Sequence, residues 1–537
     1  MSEITNNENF DFLDQRCGLR EVYSNLILDE EVAIKQYRGK AKDIWSPNEN
    51  VRGADHVMEK FLWSNDLIRP QNREVAASIL SQLDKGGYGF RKDVNAIHDA
   101  VERFAAPHAP NAIWRKPYKE MLQVVKKQLS PDYWLISFEF ETVDDLKDFL
   151  SNKDASAGVF ACYTVVKKKG QITINEKILD ILYSIQSVAV KEGTMNEPTL
   201  IGTRLQASIP IDEYGEVKYK IVDGKHVLDF KFKTRLVNMV SLPRIMTEMH
   251  YSIKVQAIFS GYVWYAGGKT PEQLQRIIQD QRRRFNNWDS MDYSSYDQSL
   301  PGWFILDAFN IIKTWFRFRD EYDVKRWDCM VHDFIHKGIV CNEAGDIKRV
   351  HDGVESGSMF TQIIDTLCNY MMMTYFCIIN NKKIGADITV NICGDDNLVF
   401  HDGWFIGEDY LSTINKVFGV QGNVEKSRLH KTRFDDPEYL SRVWRDKGIY
   451  RPWWELFVKL IYHERYRKYD DQVTPQMIFK AYYDCYNLGM YEGFNTQRFF
   501  LLFGNEVTSN ISKEAARAIG GIVEYETIYG RKRNNAA

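Results

Sequence analysis

Asn391-Ile392-Cys393-Gly394-Asp395-Asp396-Asn397-Leu398-Val399-Phe400 places two adjacent carboxylates and a glycine between two short apolar runs. This pattern predicts a strand, a tight turn and a second strand. Neighbouring side chains on a strand point to opposite faces, but at a hairpin tip both carboxylates can approach one hard cation, and glycine permits the reversal. By itself Gly394-Asp395-Asp396 reads equally well as a surface turn, so its meaning depends on what else the chain carries.

Two upstream segments supply further polar groups in ordered positions. Asp292-Tyr-Ser-Ser-Tyr-Asp297 has one carboxylate at the predicted end of a strand and another at the start of a helix, where Asp297 suits an N-cap. That helix is predicted from the apolar spacing of Ile305, Phe309, Ile312 and Phe316, with Pro301 near the first turn, where a missing N–H does little harm. Residues 353–361 form a small-residue loop containing Ser356 and Gly357 that runs into a strongly apolar helix. On it Thr361, Asp365 and Asn369 recur every fourth position and share one face. Polar groups aligned on a buried helix need partners, either within the protein or in a substrate. Between these segments, residues 337–341 and 346–350 flank a turn and predict a hairpin.

In the order Asp292, Ser356-Gly357, Asp395-Asp396, the three elements resemble the palm of viral RNA-dependent RNA polymerases: D-x4-D, then S-G-x-x-x-T with polar residues further along a helix, then G-D-D. In detail, W-D-S-M-D-Y-S-S-Y-D, S-G-S-M-F-T-Q-I-I-D-T-L-C-N-Y and the overall length look like the polymerases of partitiviruses, which are small bisegmented double-stranded RNA viruses. Picobirnaviruses are the neighbouring possibility. The resemblance is specific over about residues 230–450. It implies an α+β right-hand polymerase whose centre is an antiparallel palm sheet flanked by helices. The implied divisions are an N-terminal extension at 1–60, fingers of mixed α and β at 61–240, the start of the palm at 241–262, a fingers insertion at 263–285, the palm with its motifs at 286–450 and a helical thumb at 451–537.

The same resemblance implies roles for particular residues. Asp292, Asp395 and Asp396 would hold two magnesium ions, with manganese able to substitute, for template-directed nucleotidyl transfer from NTPs. Lys233 and Arg235 occupy alternate positions and so one face of an extended segment. The family makes that segment a fingers strand gripping the incoming triphosphate. Lys426, in Asn423-Val-Glu-Lys426-Ser, falls where the family carries a lysine proposed to protonate the leaving pyrophosphate. Ribose selection would fall to Asp297 with Ser356, Thr361, Asp365 or Asn369, and Gly357 is among the implied substrate-binding residues. Many positive-strand polymerases have Asn four residues after the motif threonine; here Asp365 stands there and Asn369 follows one turn later, so either inherits the sugar-reading role. Residues 439–445 sit where the family has a hairpin supporting the growing strand, and Arg282-Arg283-Arg284 is a charge run that either faces template phosphates or is simply solvated. RNA template and product, NTPs and a viral capsid protein are the implied partners, inside a virus particle in the host cytoplasm.

Composition agrees with such a protein and excludes others. At 537 residues the chain exceeds what one hydrophobic core usually serves. With 44% hydrophobic, 27% charged and 13% aromatic residues, wholesale disorder is excluded. Seventy Lys and Arg against 73 Asp and Glu give a net charge of -3, too even for a protein that coats nucleic acid, so any RNA path must be locally basic. The eight cysteines include no C-x-x-C pair, which predicts reduced thiols rather than a zinc site or disulfide framework. No signal peptide is expected at the start, and the longest uncharged apolar run, residues 366–381, falls short of a membrane span. Metalloprotease and P-loop motifs are absent. Two alternatives remain: a reverse transcriptase, although Cys393 stands where the tyrosine of Y-x-D-D would be, and an inactive palm-fold protein that organises RNA in a particle. Outside the motifs, alternation predicts strands at 134–141, 158–166 and 171–174, and the sequence beyond 450 predicts a helical lobe.

Overall fold

The computed structural model describes residues 10–46, 62–64, 66–84, 93–105, 113, 115–150, 152–210, 217–222, 224–229, 231–446 and 448–461. At its centre Ile388–Cys393 and Asp396–His401 pair antiparallel, with Cys393 opposite Asp396. Asn287–Ser290 pairs with the second of these strands and Arg428–Thr432 with Asn287–Ser290, which completes a four-stranded antiparallel sheet. Alternation explains why both faces are covered. Ile388, Val390, Ile392 and Val399 point into one core, while Leu398 and Phe400 point the other way, into a smaller core with Trp288, Ile278 and Trp444.

The larger core is completed by helices. Gly302–Lys313 begins after Pro301 as its spacing predicts, and it ends before Phe316, which instead lies in a parallel bridge with Leu135. Thr361–Ile379 is apolar around nearly its whole circumference and is accordingly buried under the sheet. Lys337–Val340 and Ile347–Val350 form the predicted hairpin. On the other side of the molecule, Asp11–Cys17, Glu30–Trp45, Lys177–Glu192 and the first turns of Leu242–Gly261 share a second core. Strands Leu200–Ser208 and Lys231–Met239 pair antiparallel beside it, and the Val94–Ala105 helix packs on the latter.

Three strand expectations fail for identifiable reasons. Residues 134–141 are extended with only one bridge, because their polar groups are used elsewhere: Leu135 N donates to Trp315 O, Phe138 N to His250 O, and Phe140 N to the Tyr183 hydroxyl. Within 158–166, Phe160–Tyr163 forms one helical turn with all four side chains buried, and Thr164 Oγ1 donates back to Phe160 O at 2.8 Å. Residues 171–174 belong to the 3₁₀ helix Lys169–Ile174, started by Gln171 Oε1 accepting from both Lys167 N and Lys168 N. Asp297 is not an N-cap. Ser295, at φ +53°, takes that position for the short helix Tyr296–Ser299, and Asp297 falls inside the turn. Past residue 450, Trp453–Ile461 is helical; the remainder of the predicted helical lobe, 462–537, lies outside the described residues.

Candidate active site

Gly394 and Asp395 make the two-residue loop between the central strands, with Gly394 at φ +66° in the first position. A two-residue hairpin of that kind needs a positive φ there, which glycine adopts without strain. The loop is fastened from below. Gly394 N donates to Thr366 Oγ1 at 2.9 Å, and Asn369 Nδ2 donates to Gly394 O at 3.0 Å. Asn369 is fully buried, and its Oδ1 accepts from the Tyr293 hydroxyl at 3.2 Å. Asn397 Nδ2 in turn donates to that hydroxyl at 2.9 Å, while Met291 N donates to Asn397 Oδ1. The residues immediately around the carboxylates are therefore locked to one another across three elements.

Asp292 lies two residues past its strand, and its main chain is gripped by the 423–427 turn: Asn423 N donates to Asp292 O at 2.8 Å and Asp292 N to Ser427 Oγ at 3.0 Å. This turn carries Lys426 to Asp292, which together with Asp396, Arg428, Glu438 and Ser441 lines a cleft of about 320 Å³. The far wall is the hairpin Glu438–Tyr439 and Arg442–Arg445, whose tip residues Leu440 and Ser441 both hold left-handed φ near +55°. Neither is glycine, so this tip stores backbone strain of order 1–3 kcal/mol beside the carboxylates.

The electrostatics of this centre are unbalanced. Burial first, then the Asp395 and Asp292 charges, push Asp396 up to about 7. Asp395 is raised by burial, and Asp292 by burial and by Asp395 against the opposing pull of Lys426. Asp297 is pushed up to about 7 by burial and Asp395. Asp365, almost inaccessible on the buried helix, is raised well above the carboxylate range by burial, Asp297 and Asp395, and its Oδ1 has no hydrogen-bond partner. Facing these acids are Lys233, Arg235 and Lys426. Burial, Arg235 and Lys426 lower the Lys233 pKa, against Asp292, which raises it. None of the three cations has an ion pair within 4 Å among the described residues.

Of the predicted site residues, Asp292, Asp395, Asp396, Asp297, Asp365, Lys233, Arg235 and Lys426 sense one another's charge and so share one region. Others are used within the protein. Ser356 Oγ accepts from Asn238 N at 3.0 Å, and a side chain at Gly357 would collide with Asn238 O, so this pair docks the loop onto the end of the Lys231–Met239 strand. The Thr361 hydroxyl donates to Glu355 O and Ser358 O, bracing the start of its helix. Arg282 is no solvated charge: its guanidinium is buried, donating to Arg433 O and pairing with Asp436 and Asp446 at 3.1 Å. Arg283 stays exposed beside Asp280, and Arg284 lies over the Phe285 ring.

Several supporting residues lie outside the predicted site set. Tyr293, Thr366 and Asn397 hold the carboxylate turn, as above. Glu355 pairs with Arg244, and Glu248 accepts from Ser358 Oγ and Met359 N, so two buried carboxylates hold the 353–360 loop from behind. A lone Glu355 in a loop of small residues was the one available signal.

Asp292, Asp395 and Asp396 provide oxygen donors only, the set that magnesium prefers, and their resistance to joint ionisation is what a divalent cation would relieve. Among the described residues no three His, Cys, Asp or Glu are close enough to enclose an ion, and Asp292 and Asp396 line one cleft.

Residues 248–468 match the family model of viral RNA-dependent RNA polymerases. The RNA-directed RNA polymerase of Cryptosporidium parvum virus 1 (strain KSU-1) is 26% identical over 224 residues, 39% of this chain and 40% of that protein. Over these residues the chain is similar to the viral RNA-dependent RNA polymerases. The match thus spans about two fifths of the length of the curated relative. The fold likeness extends further. The RNA-dependent RNA polymerase of a human picobirnavirus superposes with a TM-score of 0.61 at 14% identity, covering 95% of this chain and 99% of that one. Its insertion-loop deletion mutant gives 0.54 at 14% identity, covering 95% and 96%. The architecture is therefore a mixed α/β fold that resembles the right-hand polymerase fold, with the four-stranded antiparallel sheet at its centre flanked by helices. Among the described residues no helix is long and apolar enough to cross a membrane.

Proposed function

We propose that this chain is an RNA-directed RNA polymerase, which joins ribonucleoside triphosphates on an RNA template to replicate and transcribe the genome of a double-stranded RNA virus. The observation that carries the reading is that mutually repelling carboxylates and the unpaired cations Lys233, Arg235 and Lys426 share one region. Such a site suits both a divalent cation and a polyanion, and a metal-bound nucleoside triphosphate supplies the two together.

In this reading Asp292, Asp395 and Asp396 hold two magnesium ions. When bound, these ions neutralise charge on the transferring phosphoryl group and ease deprotonation of the primer 3′-hydroxyl. The chain's own residues supply the rest. Lys233 and Arg235 take the triphosphate oxygens through charge-assisted hydrogen bonds. Lys426, held beside Asp292 by the 423–427 turn, would donate a proton to the leaving pyrophosphate. Ribose is read by Asp297 and Asp365, since Asp365 keeps an unbonded oxygen whereas Asn369 is consumed by the turn beneath the carboxylates. Burial, Asp297 and Asp395 all favour the protonated form of Asp365, the form able to donate to a 2′-oxygen. Base identity comes from template pairing, so the protein grips RNA by phosphate and sugar. The partner outside the reaction is a viral coat protein, and the working place is a particle in the host cytoplasm, of the partitivirus kind.

The test is magnesium-dependent incorporation of labelled ribonucleotide on single-stranded RNA, primed and unprimed, by the parent and by Asp395→Ala, with a parallel deoxynucleotide arm. Ribonucleotide synthesis by the parent alone supports the reading. Equal incorporation by both proteins removes Asp395 from the mechanism, and preference for deoxynucleotides makes the chain a reverse transcriptase.

A further inference from the structure

The Val94–Ala105 helix comes from a stretch whose sequence carries none of the motifs, yet it is fastened at both ends to the proposed nucleotide site. At its start, Asp93 N donates to Thr234 Oγ1, the residue between Lys233 and Arg235. At its end, Arg103 Nε donates to Gln298 Oε1 at 3.1 Å, next in sequence to Asp297. One residue on, the Phe104 ring lies so close to Gly353 that a side chain there would meet it at 2.9 Å, together with Asp297 O. The helix therefore bridges the basic strand, the Asp297 turn and the loop that leads to Ser356.

A basic residue in a last helical turn is ordinarily explained by the helix dipole. Arg103 does more than that explanation requires. It is exposed, its one hydrogen bond is to a neutral amide, and no carboxylate pairs with it among the described residues. Its Gln298 contact anchors one edge of the guanidinium and leaves the NH1 and NH2 groups uncommitted. Its charge is felt at Lys233 along with those of Arg235 and Lys426. Like charges brought together without anions repel, and their joint presence is explained when a polyanion binds among them.

We propose that Arg103 is a fourth cation of the triphosphate site, reaching in from the N-terminal part of the chain so that the Val94–Ala105 helix borders the nucleotide site beside Asp297 and the Lys231–Met239 strand. The inference rests on the polymerase reading. Its chemistry is that of a guanidinium receiving phosphate oxygens while Gln298 holds its orientation.

Equilibrium binding of ATP with magnesium to the full chain tests it, alongside the concentration dependence of single-nucleotide incorporation. Arg103→Ala should weaken ATP binding about tenfold and raise KM by a similar factor, with kcat within about threefold. Arg103→Lys, which keeps the charge and loses the fork, should recover most of that. Arg103 is exposed, so the thermal midpoint of either variant should match the parent. Unchanged ATP affinity in Arg103→Ala overturns the proposal. Equal weakening in Arg103→Lys also overturns it, because the contact with Gln298 would then matter rather than the charge. A parent that binds no ATP overturns it together with the polymerase reading. A parent that binds ATP through Arg103 yet incorporates nothing leaves the proposal standing and removes the polymerase reading.

Discussion

The buried charges behind the 353–360 loop and the charges of the carboxylate cleft obey opposite rules. In the first region the buried arginines have carboxylate counterparts: Arg16 pairs with Glu197 at 3.0 Å, and Arg244 reaches Glu355 at 2.5 Å while also donating to Thr199 Oγ1. In the second, five carboxylates press on one another and four cations stand without a pair among the described residues. The difference lies in what each is for. A paired charge in a folded interior holds shape; an unpaired one marks where a ligand's charge belongs.

The largest expected break falls on the unpaired side. Asp395→Ala should lower ribonucleotide incorporation by on the order of 10³-fold or more, with far-UV circular dichroism unchanged. On the paired side, Arg244→Ala should leave Glu355 buried and uncompensated and lower stability by about 3–5 kcal/mol in urea unfolding. A finer contrast lies in Glu248, which burial pushes up to about 7 despite Arg244, Met359 N and Ser358. The folded chain binds its proton more tightly than the unfolded chain does, so stability falls as pH rises from the ordinary carboxylate range to about 7. Glu248→Gln should remove that part of the slope, on the order of 3 kcal/mol, in unfolding curves taken at pH 4.5 and 8. At the small end, Arg283→Ala loses only an exposed pair with Asp280 and should shift stability by less than about 0.5 kcal/mol.

The sequence made the centre legible because local rules suffice there. Glycine between two apolar runs dictates the carboxylate hairpin, Pro301 and the spacing after it dictate the Gly302–Lys313 helix, and fourfold recurrence aligns Thr361, Asp365 and Asn369. What stayed hidden depends on long-range contact. Residues 134–141 alternate like a strand, but their backbone is spent on Trp315, His250 and Tyr183, far away in sequence. Asn369 and Asp365 sit on one helix face, yet only the fold decides that the first holds the turn while the second keeps a free oxygen. Arg282 and Arg283 are neighbours of identical type, and burial alone separates a clamp from a solvated charge. Arg103 meets Gln298 across 195 residues, a link that no local pattern encodes.

The central claim is that the cleft is destabilised by its own carboxylates until a metal-bound nucleotide fills it. The most direct measurement is the thermal midpoint at pH 8 of the parent and Asp396→Asn, each alone and with magnesium and ATP. The account predicts that the variant is the more stable of the two when ligand-free, since a repelled charge has been removed, and that the ligands raise the parent's midpoint more than the variant's. A ligand-free variant less stable than the parent, or an equal response of both to magnesium and ATP, would contradict it.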